Sequence, residues 1–292
     1  MASNNAHKLI TVIGITGKQG GAVAKHLLQS GFKVRGLTRE VSTPKAKSWA
    51  EKGVEIVAAD LDDVESLKSA FQGTYGVFLV TANPTSLGPK NETKYGKNAA
   101  DASKFASVQH FVFSSVGNAS EAPNVPHFQS KYLIERYIAD ELRLPHTIIR
   151  PAFFYENYDK AGFTPPRNGS LTGFIRNDVK LQMVAVDDIG VFVDLAFRKP
   201  DKYLGKVVEL SGDELTGDEM ADVLTKVTGE KYSYSVWWFF KWVLRYVAAD
   251  MREMAKFFEE VGYKADIPAL RKEHPELQTW ETWLRLNQFE KK

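Results

Sequence analysis

The stretch Leu9-Ile10-Thr11-Val12-Ile13-Gly14-Ile15-Thr16-Gly17-Lys18-Gln19-Gly20-Gly21 decides the fold. Its first five residues form a β-branched, apolar run of the kind that lies buried on both faces in a parallel sheet. Gly14, Gly17 and Gly20 then lead into a segment with helical periodicity. Strand, glycine turn and helix together open a βαβ unit. Small residues at that turn let backbone N–H groups approach a pyrophosphate at the positive end of the helix. The spacing Gly-x-x-Gly-x-x-Gly differs from the commoner Gly-x-Gly-x-x-Gly but serves the same physics. Glycines also simply make turns, so the position between a first strand and a first helix carries the reading. The candidate contacts here are Gly14, Ile15, Thr16, Gly17, Lys18, Gln19 and Gly20.

Outward from this turn, short apolar runs alternate with helical segments through residue 150. The predicted strands are Leu9–Ile15, Lys33–Thr38, Val54–Ala59, Gly76–Val80, His110–Ser114 and Thr147–Arg150. Helices are expected at Gly20–Gln29, Val64–Phe71, Glu92–Phe105 and Ser130–Asp140. This rhythm predicts an α/β fold, a Rossmann-type doubly wound parallel sheet. After Pro151 the rhythm changes: Pro165, Pro166, Gly169 and Gly173 mark an irregular stretch, followed by a strand near Leu181–Val186. Asp187 or Asp188 is expected to cap a helix through Phe197, and Thr216 another, with a strand at Val207–Leu210 between them. The expected organisation is a dinucleotide-binding domain over 1–155 and a smaller, mostly helical substrate or partner subdomain over 156–292. The second part is read as interleaved with the first, with the Asp187-Asp188 region returning to the sheet.

The chain has 292 residues, 38 Lys+Arg against 36 Asp+Glu, and no cysteine. A net charge of +2 gives no electrostatic case for direct nucleic-acid binding. Lack of cysteine removes disulfides, thiolate nucleophiles and cysteine metal sites. The histidines are scattered without neighbouring acids, so no metal site is expected. The polar N-terminus lacks a signal-peptide core, and Val236–Ala249, which contains Lys241 and Arg245, is shorter than the roughly 20 residues a bilayer demands. A cytoplasmic protein with no membrane association is expected, with nuclear access left open.

The second strand bears on the cofactor. NAD-selective sites carry an acid near the end of this strand for the ribose 2′-hydroxyl. Here the strand ends in Thr38-Arg39, and the Arg39 guanidinium offers a forked cation to a 2′-phosphate, with Lys45 nearby. NADP(H) is therefore favoured over NAD(H), although adjacent Glu40 keeps a ribose contact open. Asp60 and Leu61 follow the third strand, placed to flank an adenine, while Asp62 or Asp63 caps the next helix. Thr81, Ala82 and Asn83 close the fourth strand at the carboxyl edge, where open α/β sheets bind ligands.

Together with Ser114-Ser115 and the run Arg150-Pro151-Ala152-Phe153-Phe154-Tyr155-Glu156-Asn157, these residues resemble the NmrA-like family. That family is a branch of the atypical short-chain dehydrogenase/reductase group. The resemblance covers nearly the whole chain, including Asp187-Asp188-Ile189-Gly190. It implies cofactor contacts from the glycine loop, Arg39, Asp60, Leu61, Thr81, Ala82 and Asn83. It also implies contacts from Lys94, Lys131, Phe154, Tyr155, Glu156 and Asn157. The family includes both NADP-sensing regulators and NAD(P)H-dependent reductases of quinones, dyes or phenolic compounds. A small-molecule substrate and a regulatory protein partner are both open, as is a homodimer.

The catalytic reading turns on His127-Phe128-Gln129-Ser130-Lys131. Ordinary short-chain dehydrogenases carry Tyr-x-x-x-Lys here, with both side chains on one helix face. In this sequence His127 stands in the tyrosine position. Lys131 can hold the nicotinamide ribose, and His127, with a reference pKa near 6.5, is a candidate acid. The alternative is that His127 merely follows Pro126 at a helix start. For Lys94, Tyr155 and Asn157 the alternatives are a helix-surface lysine, core packing and turn chemistry. Trp237, Trp238, Phe239, Phe240, Trp242, Tyr246, Phe257 and Phe258 read as a largely buried helix, or else as a lid, a dimer surface or a docking face.

Overall fold

The computed structural model describes residues 5–81, 84–159, 165–236 and 249–289. Within these, the apolar runs become β1 (Leu9–Ile13), β2 (Lys33–Thr38), β3 (Glu55–Ala58), β4 (Gly76–Val80), β5 (His110–Ser114) and β6 (His146–Pro151). Shorter strands follow: β7 (Phe153–Phe154), β8 (Ser170–Gly173), β9 (Leu181–Val184), β10 (Lys206–Leu210), β11 (Asp213–Leu215) and β12 (Ser233–Val236). The main sheet has seven strands in the order β10-β6-β5-β4-β1-β2-β3. Parallel register runs from Leu9↔Lys33 across β1 and β2 and from Gly76↔His110 across β4 and β5. The chain reverses its direction of strand addition between β1 and β4, the place where open α/β sheets form a ligand crevice at the carboxyl ends.

The connecting helices are α1 (Lys18–Gln29), α2 (Pro44–Glu51), α3 (Val64–Ala70), α4 (Pro84–Phe105), α5 (Pro126–Arg136), α6 (Val186–Arg198), α7 (Pro200–Tyr203) and α8 (Gly217–Thr228). Three further helices occupy Ala249–Glu260, Ile267–Glu273 and Trp280–Leu286. Thr216 caps α8 with a full capping box to Glu219, and Asp63 caps α3 through the Glu65 and Ser66 amides.

Several boundaries differ from the sequence reading for local reasons. β1 ends at Ile13 because Gly14 turns the chain with φ 73°. α4 is broken at Gly88, also at φ 73°, and Pro89 restarts it. α5 begins at Pro126 rather than Ser130, then loosens into a π-turn over Tyr137–Glu141. α6 begins at Val186, so Asp187 and Asp188 lie in its first turn instead of capping it. The Val186 amide is received by a carboxylate from elsewhere, Glu156 Oε1 at 3.0 Å. β12 interrupts the region read as helical, pairing in parallel with β8.

The chain divides into two compact units that are interleaved along the sequence. One comprises residues 1–116, 127–150 and 189–208; the other 117–126, 151–188 and 209–292. The first holds most of the parallel sheet and a core built on Ile13, Leu37, Leu79, Phe111, Phe113 and Ile148. The second holds a three-stranded sheet, β11-β9-β7, and the β12-β8 pair. Its core stacks Trp280 on Trp283 at 5.4 Å between ring centres, with Tyr155 and Tyr158 against Trp280. The aromatic run from Trp237 to Tyr246 lies outside the described residues.

Candidate functional site

The turn after β1 is tight enough to dictate its composition. The Gly17 amide donates to the Gly14 carbonyl at 2.9 Å, folding the loop back on itself. A Cβ at Gly20 would stand 2.2 Å from that same carbonyl oxygen, which no side chain could accept. α1 then starts with Gly17 at its N-cap. No side chain caps it, and no acid stands in its first turn. The orphan N–H groups and positive dipole end of α1 are therefore left for an anion. The Ile15 side chain is wholly buried, leaving its main chain for any ligand, while Gly17 and Lys18 are exposed. Gln19 Oε1 accepts the Ser114 hydroxyl at 2.7 Å, tying the loop to the end of β5.

Arg39, one residue past β2, is exposed and makes no hydrogen bond or ion pair among the described residues. Its neighbour Glu40 is already engaged. Glu40 Oε1 accepts from the Ser42 hydroxyl at 2.6 Å and the Ser42 amide at 3.0 Å. These bonds hold the Glu40 carboxyl below the usual carboxylate range. Past β3, Asp60 Oδ1 accepts the Asp62 amide, and the Leu61 carbonyl accepts from Asn98 at 2.8 Å. Lys94 pairs with Asp62, and that hydrogen bond raises the lysine pKa. Lys94 thus ties α4 to the loop after β3.

The densest polar arrangement lies at the end of β4. Thr81 is buried and donates its hydroxyl to Glu92 Oε1 at 2.6 Å. Lys131 Nζ donates to the same carboxylate oxygen at 2.8 Å and to Thr81 Oγ1 at 2.9 Å. Ser130 donates to Glu92 Oε2. Glu92 is fully buried, and the Lys131 side chain is 14% exposed. Thr81, Glu92, Ser130 and Lys131 are thereby drawn from β4, α4 and α5 into one network. His127 lies one turn before Lys131, half-buried, with its ring edge-on to Phe128 at 4.8 Å.

The NmrA-like family model matches residues 6–284. The chain belongs to the NmrA-like family. An NmrA-like oxidoreductase of Aspergillus hancockii, hkm9, is 34% identical over 247 residues, covering 77% of this chain and 73% of that protein. The NmrA-like oxidoreductase FrzB of a Cladobotryum species is 33% identical over 254 residues, 77% of this chain and 75% of its own. Among solved structures, the Escherichia coli NADPH-dependent quinone oxidoreductase QOR2, complexed with NADPH, superposes with TM-score 0.80 at 24% identity. That match covers 95% of this chain and 99% of the other. NmrA, a negative transcriptional regulator crystallised with NADP, gives TM-score 0.78 at 20% identity over 96% and 95%. At these identities the solved structures speak to the fold.

In this NmrA-like chain four further expected residues, Phe154, Tyr155, Glu156 and Asn157, fall in the second unit. Phe154 ends β7, and Tyr155, Glu156 and Asn157 form a single 3-10 turn. For the Tyr155 hydroxyl the structure favours core packing, the alternative reading, over a ligand contact. The side chain has no exposed surface, packs against Trp280 and Trp283, and its hydroxyl faces the Gln278 carbonyl at 3.4 Å. Burial raises its pKa well above that of free tyrosine. Glu156 likewise serves structure, accepting from the Val186 amide and the Trp283 indole at 3.1 Å. Phe154 and Asn157 are half-buried. Ala82 and Asn83 lie outside the described residues. Among the described residues no group of three or more potential metal ligands converges, and no helix is long and apolar enough to cross a membrane.

Sequence reasoning missed Glu92 and Ser130. Glu92 sits between Asn91 and Thr93 in a polar stretch that reads as a solvated helix face, and nothing local marks it as buried. The available signal was the Gly88-Pro89 break, which places a carboxylate near the start of a restarted helix, where the dipole favours it.

Proposed function

We propose that the chain binds NADP(H) at the Gly14–Gly20 turn and works as an NADPH-dependent reductase of a small quinone, carbonyl or aromatic substrate. One observation carries the cofactor reading: a glycine-lined helix start with no capping side chain and no acid, the arrangement a pyrophosphate requires. Exposed Arg39 supports NADP(H) over NAD(H), since Glu40, the residue that would take a ribose hydroxyl, is engaged by Ser42. The relatives named as oxidoreductases support the reductase reading.

When bound, the dihydronicotinamide supplies hydride. The protein's own residues then have three tasks. The α1 amides and Arg39 hold the phosphates. Lys131 has three N–H donors, two of them committed to Glu92 and Thr81, which leaves one for a ribose hydroxyl. His127, or a water, supplies the proton that neutralises the reduced substrate, in place of the absent tyrosine. Rate acceleration would rest mainly on positioning.

The same His127 favours a second reading, a non-catalytic NADPH/NADP⁺ redox sensor acting on a protein partner. Such a sensor requires unequal affinity of two conformations for the reduced and oxidised cofactor. Titration with NADPH, NADH and NADP⁺, followed by tryptophan fluorescence, tests the cofactor reading, with NADPH expected to bind far more tightly than NADH. NADPH oxidation in the presence of quinones and aromatic aldehydes then separates reductase from sensor. A sensor shows no turnover but a cofactor-dependent change in protease sensitivity.

A further inference from the structure

We propose that Glu92 is a positioning residue of this site, whose buried charge tightens NADPH binding by fixing the Lys131 ammonium, although Glu92 is itself an anion. The inference rests on the NADP(H) reading above and deepens it. Carboxylates are almost never fully buried unless paired. Here both oxygens are engaged: Oε1 takes Lys131 Nζ at 2.8 Å and the Thr81 hydroxyl at 2.6 Å, and Oε2 takes the Ser130 hydroxyl. Thr81 also receives a Lys131 N–H at 2.9 Å, so carboxylate, hydroxyl and ammonium close a triangle. A flexible four-carbon stem is thereby pinned at its charged end.

Stability alone gives weak grounds for such a pair, because desolvating two charges costs about what their attraction returns. What the arrangement delivers is direction. Two of three ammonium donors are fixed, which constrains the third to one orientation, and one of the two goes to Thr81, the residue after Val80, whose side chain lies 3.2 Å from the position a Gly14 Cβ would take. The backing is built from both sides. Ser130, on the same helix as Lys131, holds the second oxygen of Glu92, and Thr81 directly follows Val80, the last residue of β4.

The positioning role predicts a sign that simple charge does not. Glu92→Gln keeps the shape and removes one negative charge near a polyanionic ligand, so direct electrostatics alone would tighten NADPH binding. Loss of positioning loosens it. Kd for NADPH, read by tryptophan fluorescence, is expected to rise roughly ten-fold in Glu92→Gln. In a Lys131→Met background the same substitution is expected to leave Kd unchanged or to lower it, because there is then no lysine to position and only the direct effect of the lost charge remains. An unchanged or lower Kd in Glu92→Gln overturns the proposal, as does an equal loss with and without Lys131. Wild-type protein that binds no NADPH overturns the underlying cofactor reading instead, a distinct result. Should Glu92→Gln fail to fold, Ser130→Ala decides. It leaves every charge in place and removes one hydrogen bond to Oε2, and it is expected to raise Kd in the same direction by a smaller factor. An unaltered Kd in Ser130→Ala then counts against the proposal.

Discussion

At Gly20 a single atom would be one too many. An added Cβ would press within 2.2 Å of the Gly14 carbonyl, and backbone cannot yield as a side chain can. Gly20→Ala is therefore expected to displace the turn, abolish NADPH binding and lower stability by about 1–3 kcal/mol. Urea unfolding beside the fluorescence titration measures both. Arg39 is the opposite case. It is exposed and makes no hydrogen bond or ion pair among the described residues, so its removal should leave the melting temperature where it was. Arg39→Ala is expected to raise the Kd for NADPH by about ten-fold or more while leaving that for NADH unchanged, the loss of a charge-assisted hydrogen bond to the 2′-phosphate. Equal losses for both cofactors would place the arginine elsewhere.

Among the elements, β5 and β6 share a buried histidine with a defined proton. Thr147 Oγ1 gives its only hydrogen to the Tyr203 carbonyl at 2.8 Å, so it must accept from His110 Nε2, also at 2.8 Å. His110 is fully buried, and among the described residues its Nδ1 has no partner to receive a second N–H. Burial accordingly lowers its pKa from 6.5 to about 4, with His146 and Lys8 adding to the effect. The unfolded chain binds this proton more readily than the folded one between those values. The contribution is complete above pH 6.5, falls as pH drops toward 4, and reaches about 3 kcal/mol of lost stability there. Thermal melts from pH 7 to pH 4 should show the decline. His110→Gln, which cannot take up a proton, should flatten that part of the profile even if its stability at pH 7 is lower.

For the whole molecule, interleaving has a consequence for truncation. Residues 189–208 belong to the first unit, where Phe197 packs on Gly76 and Gly190 lies against Ala22. They follow a long excursion through the second unit, from 151 to 188. A fragment of residues 1–155 contains the whole glycine turn, yet lacks the side chains of Phe192, Val193, Ala196 and Phe197, all buried in the complete chain. It is expected to lack a cooperative melt and to expose apolar surface to dye, as judged by circular dichroism and fluorescence. The second unit depends on its own aromatic stack. Trp280→Ala removes a side chain with no exposed surface and is expected to cost about 3–5 kcal/mol in urea unfolding.

The parallel sheet and the turn that opens it were written locally. Apolar runs such as Gly76–Val80 and His110–Ser114 have the periodicity and length of buried strands, and Gly14, Gly17 and Gly20 satisfy a constraint spanning seven residues. The caps at Asp63 and Thr216 are equally local, since donor and acceptor lie within three residues. Only the tertiary structure decided the rest. Tyr155 stands beside the glutamate and asparagine that a ligand loop would carry, but its fate was set by Trp280 and Trp283, more than a hundred residues away. Glu92 reads as one more polar helix residue until β4 and α5 bring Thr81, Ser130 and Lys131 around it. Strand periodicity, glycine turns and caps depend on neighbours in sequence, whereas burial of a charge depends on partners that only folding supplies.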